Sequence, residues 1–359
     1  MHRKLIDLCT IQYGYAFNAS LFTEDESFPP IIRIRDVKRG YSETYYSGNY
    51  SGNYIIRKGD ILIGMDGEFN IAKWQSQDAL LNQRVCKVNP NANVNGDYLL
   101  YALSRKLKSI EENTAFVTVK HLSAKELNKI VIQAPDYSQQ TRVANTINSL
   151  LYVIAKYQSL LAKLDELVKA RFVEMFGDPV SNPLQWPTNK LQKVAPHKPV
   201  AFQESKSIWL LNLDMIESNT GRIIDYKYTS SDNIGSSTCC FDASHVLYSK
   251  LRPYLNKVVL PRQFGVATSE LLALRPNSSL NRIFLANLLR GDFFVRFISE
   301  KVSGAKMPRV AMDIFWAFPC IIPPMELQRR FADFVQQVDK SKVVVQLSQK
   351  RIDVLHLLW

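Results

Sequence analysis

Two stretches of this chain present the same landmarks in the same order about 187 residues apart, and a sequence that repeats itself this way is expected to fold as two equivalent halves. Lys4-Leu5 opens the first copy and Lys190-Leu191 the second. Gly59-Asp60-Ile61-Leu62-Ile63 returns as Ser244-His245-Val246-Leu247-Tyr248. Pro135, Gln140, Arg142 and Val143 return 188 positions later as Pro323, Gln328, Arg330 and Phe331. In each copy a strand-rich stretch of about 135 residues runs into a long helix. Two heads held at a fixed separation suit a molecule that reads two places on one ligand.

At 359 residues the chain is long enough for two domains with cores of their own. A net charge of +12 favours a polyanionic partner. The excess is uneven: residues 1–185 carry 22 Lys/Arg against 19 Asp/Glu, and residues 186–359 carry 23 against 14, so the basic surface is expected to be stronger on the second half. Cys9, Cys86, Cys239, Cys240 and Cys320 show no metal-ligand spacing and read as small core residues in a reducing compartment. Asp7 interrupts the apolar run after the charged N-terminus, which argues against a signal peptide, and no run of 18 apolar residues suggests a membrane span. The expectation is a soluble cytoplasmic protein.

Residues 31–37 alternate apolar and polar side chains and predict a strand closed by Lys38-Arg39-Gly40, with Arg33 and Arg35 on one face. Further strands are expected around residues 61–64, 79–88, 130–132, 209–215, 246–251, 271–274 and 320–322, and shorter helices over 97–107 and 281–289. The long helices are the clearest elements. Val143, Ile147, Leu150, Ile154, Tyr157, Leu161, Leu164 and Val168 follow one another at alternating spacings of four and three, the seam of a coiled coil. Gly177-Asp178-Pro179 stops this helix, which at 1.5 Å per residue makes a rod of roughly 58 Å. A head of about 135 residues is only about 30–35 Å across, so the rod should project beyond it rather than pack wholly on its own domain. The second helix carries Phe331, Val335, Val338, Val345, Ile352 and Leu355, but Lys342 and Gln349 occupy the positions of Ile154 and Leu161. The simplest partner for each rod is the other one, antiparallel.

These residues resemble the specificity subunits of type I restriction–modification systems over essentially the whole length. The most specific match is the run 164–179, Leu-Asp-Glu-Leu-Val-Lys-Ala-Arg-Phe-Val-Glu-Met-Phe-Gly-Asp-Pro, which is similar to the family's central helix and its exit. Pro323-Pro324-Met325-Glu326-Leu327-Gln328-Arg329-Arg330-Phe331 resembles the start of a family helix, with a weaker version at residues 135–143, and residues 58–62 and 81–88 resemble recognition-domain core segments. One departure is that the second helix reaches only Trp359, aligned with Arg171, and has no counterpart of residues 172–179. The resemblance implies an α+β fold of two β-rich target recognition domains, residues 1–137 and 179–325. Two long helices, 138–178 and 326–359, would join them as an antiparallel coiled coil with pseudo-twofold internal repetition. It also implies a scaffold without catalysis or cofactor. Each domain would read half of a split target in double-stranded DNA while the helices set the spacer. Methyltransferase subunits would dock on the helices, and translocating restriction subunits would join that complex.

Reading bases needs side chains with paired donors or acceptors: Arg for guanine, Asn or Gln for adenine, Lys and Ser/Thr for phosphates. Loops rich in such groups nominate Tyr13, Tyr15, Arg35, Lys38, Arg39, Lys120 and His121 in the first copy. In the second they nominate Lys250, Arg252, Tyr254, Lys306 and Arg309. Lys120-His121 and Pro308-Arg309 lie 188 positions apart, just before the last strand of each copy. Tyr41, Tyr45, Tyr46, Tyr50 and Tyr54 suit either a stacking surface or a plain tyrosine-rich hairpin. His121 and His245 fall near candidate loops, yet neither has a Cys or Asp at zinc-ligand spacing. Neither a phosphate-binding Gly-Lys-Ser/Thr loop nor an Asn/Asp-Pro-Pro-aromatic tetrapeptide occurs, which argues against a nucleotide-driven motor and a methyltransferase. Two other classes stay open on the residues alone: a stand-alone bivalent DNA-binding regulator, and a coiled-coil scaffold whose heads bind protein.

Overall fold

The computed structural model describes residues 2–113, 121–235, 237–300 and 308–357, with 113 and 350–357 described by backbone alone. It is a mixed helix-and-sheet chain that divides into two compact units, residues 1–153 and 154–359.

In the first unit the strand Ile61–Gly64 is buried at every position, so it sits inside a sheet rather than on one face of it. It pairs antiparallel with Val85–Pro90 on one side and Ile71–Lys73 on the other, and Cys9–Tyr13 extends the sheet beyond Val85–Pro90. Ile31–Ile32 runs parallel to Ala79–Leu81, and His2–Lys4 pairs with Val131–Gln133. The helix Gly96–Asn113 lays Leu99, Leu103 and Leu107, all fully buried, along one stripe at a spacing of four. Burying each such leucine stabilises the unit by about 2 kcal/mol.

The strand expected over residues 31–37 is only two residues long. A helix, Ile34–Arg39, follows it. The buried Asp36 decides this: its carboxylate accepts from the Arg33 N–H at 2.9 Å and from Ser42 Oγ at 3.1 Å, capping a helix start where a strand would have left it unpaired. Gly40, at φ +77°, ends the helix by donating its N–H to the Asp36 carbonyl. Arg33 and Arg35 therefore do not share a strand face.

The second unit repeats much of this plan. Val246–Ser249, again wholly buried, pairs antiparallel with Leu271–Leu274, as Ile61–Gly64 does with Val85–Pro90. Ile208–Leu211 runs parallel to Gly265–Thr268, and Thr188–Lys190 pairs with Pro319–Ile321. The caps recur as well. Gln140 Oε1 accepts from the Asn95 N–H and its Nε2 donates to the Pro135 carbonyl. Gln328 does the same with Asn281 and Pro323, and adds a bond to the Ser279 carbonyl. Both glutamines are buried, so their amides are hydrogen-bonded to protein in place of water.

Two long helices complete the architecture, Tyr137–Phe176 and Met325–Leu357. Within the second unit, Phe331 touches the rings of Phe172 and Phe176 at 5.4 and 5.6 Å, and Lys342 pairs with Asp165 at 2.6 Å. One helix numbers upward where the other numbers downward, so these portions lie side by side and antiparallel. Ile147 and Val168 are buried, and Leu150, Ile154, Tyr157, Leu161 and Leu164 between them are half-buried, along the seam read from the spacing. Lys342 is tolerated on its seam because Asp165 and Asp339 neutralise it. No helix among the described residues is long and apolar enough to cross a membrane.

Candidate nucleic-acid interface

The same backbone junction closes the buried strand of each unit. After Ile61–Gly64, the Met65 N–H donates to the Arg84 carbonyl at 2.9 Å, and the Leu122 N–H donates to the Met65 carbonyl at 2.7 Å. After Val246–Ser249, the Lys250 N–H donates to the Glu270 carbonyl and the Val310 N–H to the Lys250 carbonyl, both at 2.9 Å. The bridge Asp66–His121 in the first unit has its counterpart in Leu251–Arg309 in the second. Buried Leu122 and Val310 anchor the incoming chain, which leaves the polar residue just before each of them at the surface.

Charged side chains crosslink both junctions. In the first, Asp66 accepts from His121 Nδ1 at 2.5 Å through one carboxylate oxygen and meets Arg84 Nε at 3.3 Å through the other. In the second, Arg309 Nη2 donates to Glu270 Oε1 at 2.7 Å. Glu270 Oε2 and Arg252 Nε are buried with no hydrogen-bond partner among the described residues. Such atoms are costly unless water or a ligand meets them.

The nominated residues fall into three places. Tyr13 and Tyr15 lie beside the first junction: the Gly14 N–H donates to the Val85 carbonyl and the Tyr15 N–H to the Leu81 carbonyl, along the turn that carries Arg84. The approach is close enough that a Cβ at Gly14 would lie 2.1 Å from the Asn82 carbonyl oxygen. Tyr15 is exposed and stacks edge-on against Phe17. His121 is part of the junction itself. Lys250, Arg252, Tyr254 and Arg309 gather at the second junction, where the Arg252 N–H donates to the Pro308 carbonyl at 2.8 Å. Arg252 and Asn256 both hold left-handed backbone, φ +50° and +47°, around a single turn that exposes Tyr254. Strain of this kind in residues other than glycine clusters at ligand-contacting loops.

Arg35, Lys38 and Arg39 sit elsewhere, on the helix Ile34–Arg39. Lys38 and Arg39 line an open cleft of about 590 Å³ with Lys73, Asp97, Tyr101 and Asn148, whose walls include none of Asp66, Arg84 or His121. Arg35 lines a second open groove, of about 700 Å³, together with Glu24, Glu26 and Glu43, so acidic neighbours offset its charge. Lys120 and Lys306 lie outside the described residues. Asp66, Arg84 and Glu270 were not nominated by sequence. Arg84 adjoins a run that reads as core, and Glu270 precedes the buried Leu271. His245 is buried between Asp242 and the Lys198 carbonyl and serves the fold. Burial raises the thiols of all five cysteines, to about 11 for Cys9 and Cys239 and about 12 for Cys86 and Cys320, as core residues require.

Residues 1–165 match the family model for the type I restriction modification DNA specificity domain. The chain is 37% identical over 163 residues to the type I restriction enzyme EcoBI specificity subunit of Escherichia coli, an alignment covering 45% of this chain and 34% of that protein. It is 21% identical over 314 residues to the EcoDI specificity subunit of the same organism, covering 77% of this chain and 70% of that one. Over residues 1–165, just under half of its length, the chain is similar to the type I restriction modification DNA specificity domain. Two solved structures share its fold. One is the S subunit of a type I restriction-modification system from M. genitalium, with a TM-score of 0.58 at 14% identity over 99% of this chain and 93% of that one. The other comes from a study of complex assembly in the type I R-M system, with a TM-score of 0.55 at 15% identity over 99% and 95%. The chain spans about a third of the length of the EcoBI subunit.

Proposed function

We propose that this chain is the DNA-specificity subunit of a type I restriction–modification assembly, without catalysis of its own. Residues 1–137 and 179–325 are the two target recognition domains, each reading one half of a split duplex site. The helices 138–178 and 326–359 set the spacer and receive methyltransferase subunits, and translocating restriction subunits join through that assembly. The work is done in the cytoplasm, on the genome. The observation that carries this reading is the repeated junction: two units of one chain close the same strand with the same backbone bonds and bring exposed Arg or His side chains to it. The match of residues 1–165 to a DNA specificity domain supports it. Exposed Leu160, Leu167, Val344 and Leu347 on the long helices suit a docked partner subunit.

Methylation mapping of the source genome with and without this gene tests the proposal. A split motif should vanish with the gene, and tagged chain should co-purify with a methyltransferase. An unchanged methylation pattern overturns the reading. Sequence-specific binding by the chain alone, with no methyltransferase retained, would replace it with a stand-alone bivalent regulator.

A further inference from the structure

We infer that Arg84 in the first unit and Arg309 in the second are the specificity-determining arginines of the two half-sites, each reading a guanine, with Asp66 and Glu270 as their positioning residues. The inference rests on the proposed function and adds which residues discriminate bases.

The two arginines share one setting. Their side chains are 54% and 67% exposed, whereas the carboxylates that hold them are only 22% and 24% exposed. Exposed ion pairs contribute little to stability, so holding the guanidinium is the more telling consequence of a mostly buried carboxylate. Asp66 engages Arg84 only through Nε, at 3.3 Å, which leaves both terminal amino groups to donate outward. Glu270 engages Arg309 through Nη2 alone, at 2.7 Å, which leaves the second Nη2 N–H to donate beside a neighbouring N–H on the edge facing away from Glu270. A planar guanidinium fixed on one edge presents parallel N–H donors on another, the arrangement that fits guanine O6 and N7 in the major groove. Holding it in advance also lowers the conformational entropy lost on binding. The second junction is incomplete by itself, since Glu270 Oε2 and Arg252 Nε are buried with no partner among the described residues.

The repeat adds an independent argument. Arg84 and Glu270 occupy the same place, each giving its carbonyl to the residue that follows the buried strand, and His121 and Arg309 occupy another. In the second unit the carboxylate stands at the place of Arg84 and the arginine at the place of His121, while Leu251 takes the place of Asp66, yet each junction keeps one exposed arginine on one shielded carboxylate. Two heads that read different half-sites need such a difference in where the arginine starts, while retaining the same way of holding it.

The test uses the full chain assembled with its methyltransferase subunits and a randomised duplex library, comparing wild type with Arg84→Lys, Arg309→Lys, Asp66→Asn and Glu270→Gln. Lysine keeps the charge but not the planar fork. Arg84→Lys should lose preference for guanine at one position of one half-site, by roughly 5- to 100-fold, with the other half-site unchanged and the salt dependence of binding retained. Arg309→Lys should do the same in the other half-site. The carboxylate variants should weaken the same positions to a smaller extent while thermal unfolding shows the chain still folded. Uniform weakening over all sequences would make these arginines phosphate contacts and overturn the inference. So would a bipartite wild-type site that both lysine variants keep base for base, and that result leaves the proposed function standing. A wild-type complex that selects no sequence overturns both.

Discussion

Gln328 offers a direct measure of what the repeated cap contributes. It is fully buried and makes three bonds: it accepts from the Asn281 N–H at 2.8 Å and donates to the carbonyls of Ser279 at 3.0 Å and Pro323 at 2.8 Å. Gln328→Ala removes all three partners at once. At about 1 kcal/mol net per neutral hydrogen bond, the loss is about 3 kcal/mol, a large share of the 5–15 kcal/mol typical of a domain. Gln140 makes two of the equivalent bonds, to Asn95 and Pro135, so Gln140→Ala should cost about 2 kcal/mol. Gln328→Glu separates hydrogen bonding from volume. It keeps the shape but turns a carboxylate oxygen toward two carbonyls, which raises the folded-state pKa above the unfolded value of about 4.3. The sign follows: the variant is closest to wild type below that pH, where the acid is protonated and can donate, and falls behind as pH rises through the raised value. Urea unfolding of the full chain at pH 4 and pH 7 measures all three. A Gln328→Ala loss under about 1 kcal/mol, or a Gln328→Glu deficit that does not shrink at low pH, would refute the claim that these bonds hold the segment at the start of Arg282–Arg290.

Inserting one heptad after Tyr157 adds about 10 Å of helix, roughly three base pairs, and keeps the seam in phase; methylation mapping should give a longer spacer with unchanged half-sites, or no activity, and retention of the original spacing at full activity would show that the helix does not set it. With every cysteine buried and its thiol raised, the folded chain should react slowly with iodoacetamide at pH 8 and with all five thiols once unfolded, as counted by mass spectrometry. Burial alone would raise the Asp242 carboxyl, but donation from Ser244 and His245 holds it at about 2. Its stabilising contribution is therefore complete above about 3.8 and lost as pH falls toward 2, so Asp242→Asn should flatten the acid limb of the stability curve.

The sequence carries its periodic features openly and conceals its pairwise ones. The seam from Val143 to Val168 is legible because a helix imposes its period on the burial of every third or fourth residue, and Gln140 and Gln328 are legible because their identity is kept across the repeat. Residues 31–37 mislead because apolar side chains at 32, 34 and 37 satisfy a strand's alternation at first and a helix's spacing afterwards; the deciding contact is the Asp36 carboxylate on the Arg33 N–H, which no hydrophobic pattern records. The junctions are harder still. Asp66, Arg84 and His121 come from three separated segments and meet only after the sheet has formed. Comparing the copies does not expose them either, because Arg84 aligns with Glu270 and His121 with Arg309, and an alignment that rewards identity scores both positions as divergent. What the two units keep at this place is a relation, an exposed cation held on a shielded carboxylate, and a relation between residues that stand at different places in the two units becomes visible only when the backbone bonds beneath them are seen to be the same.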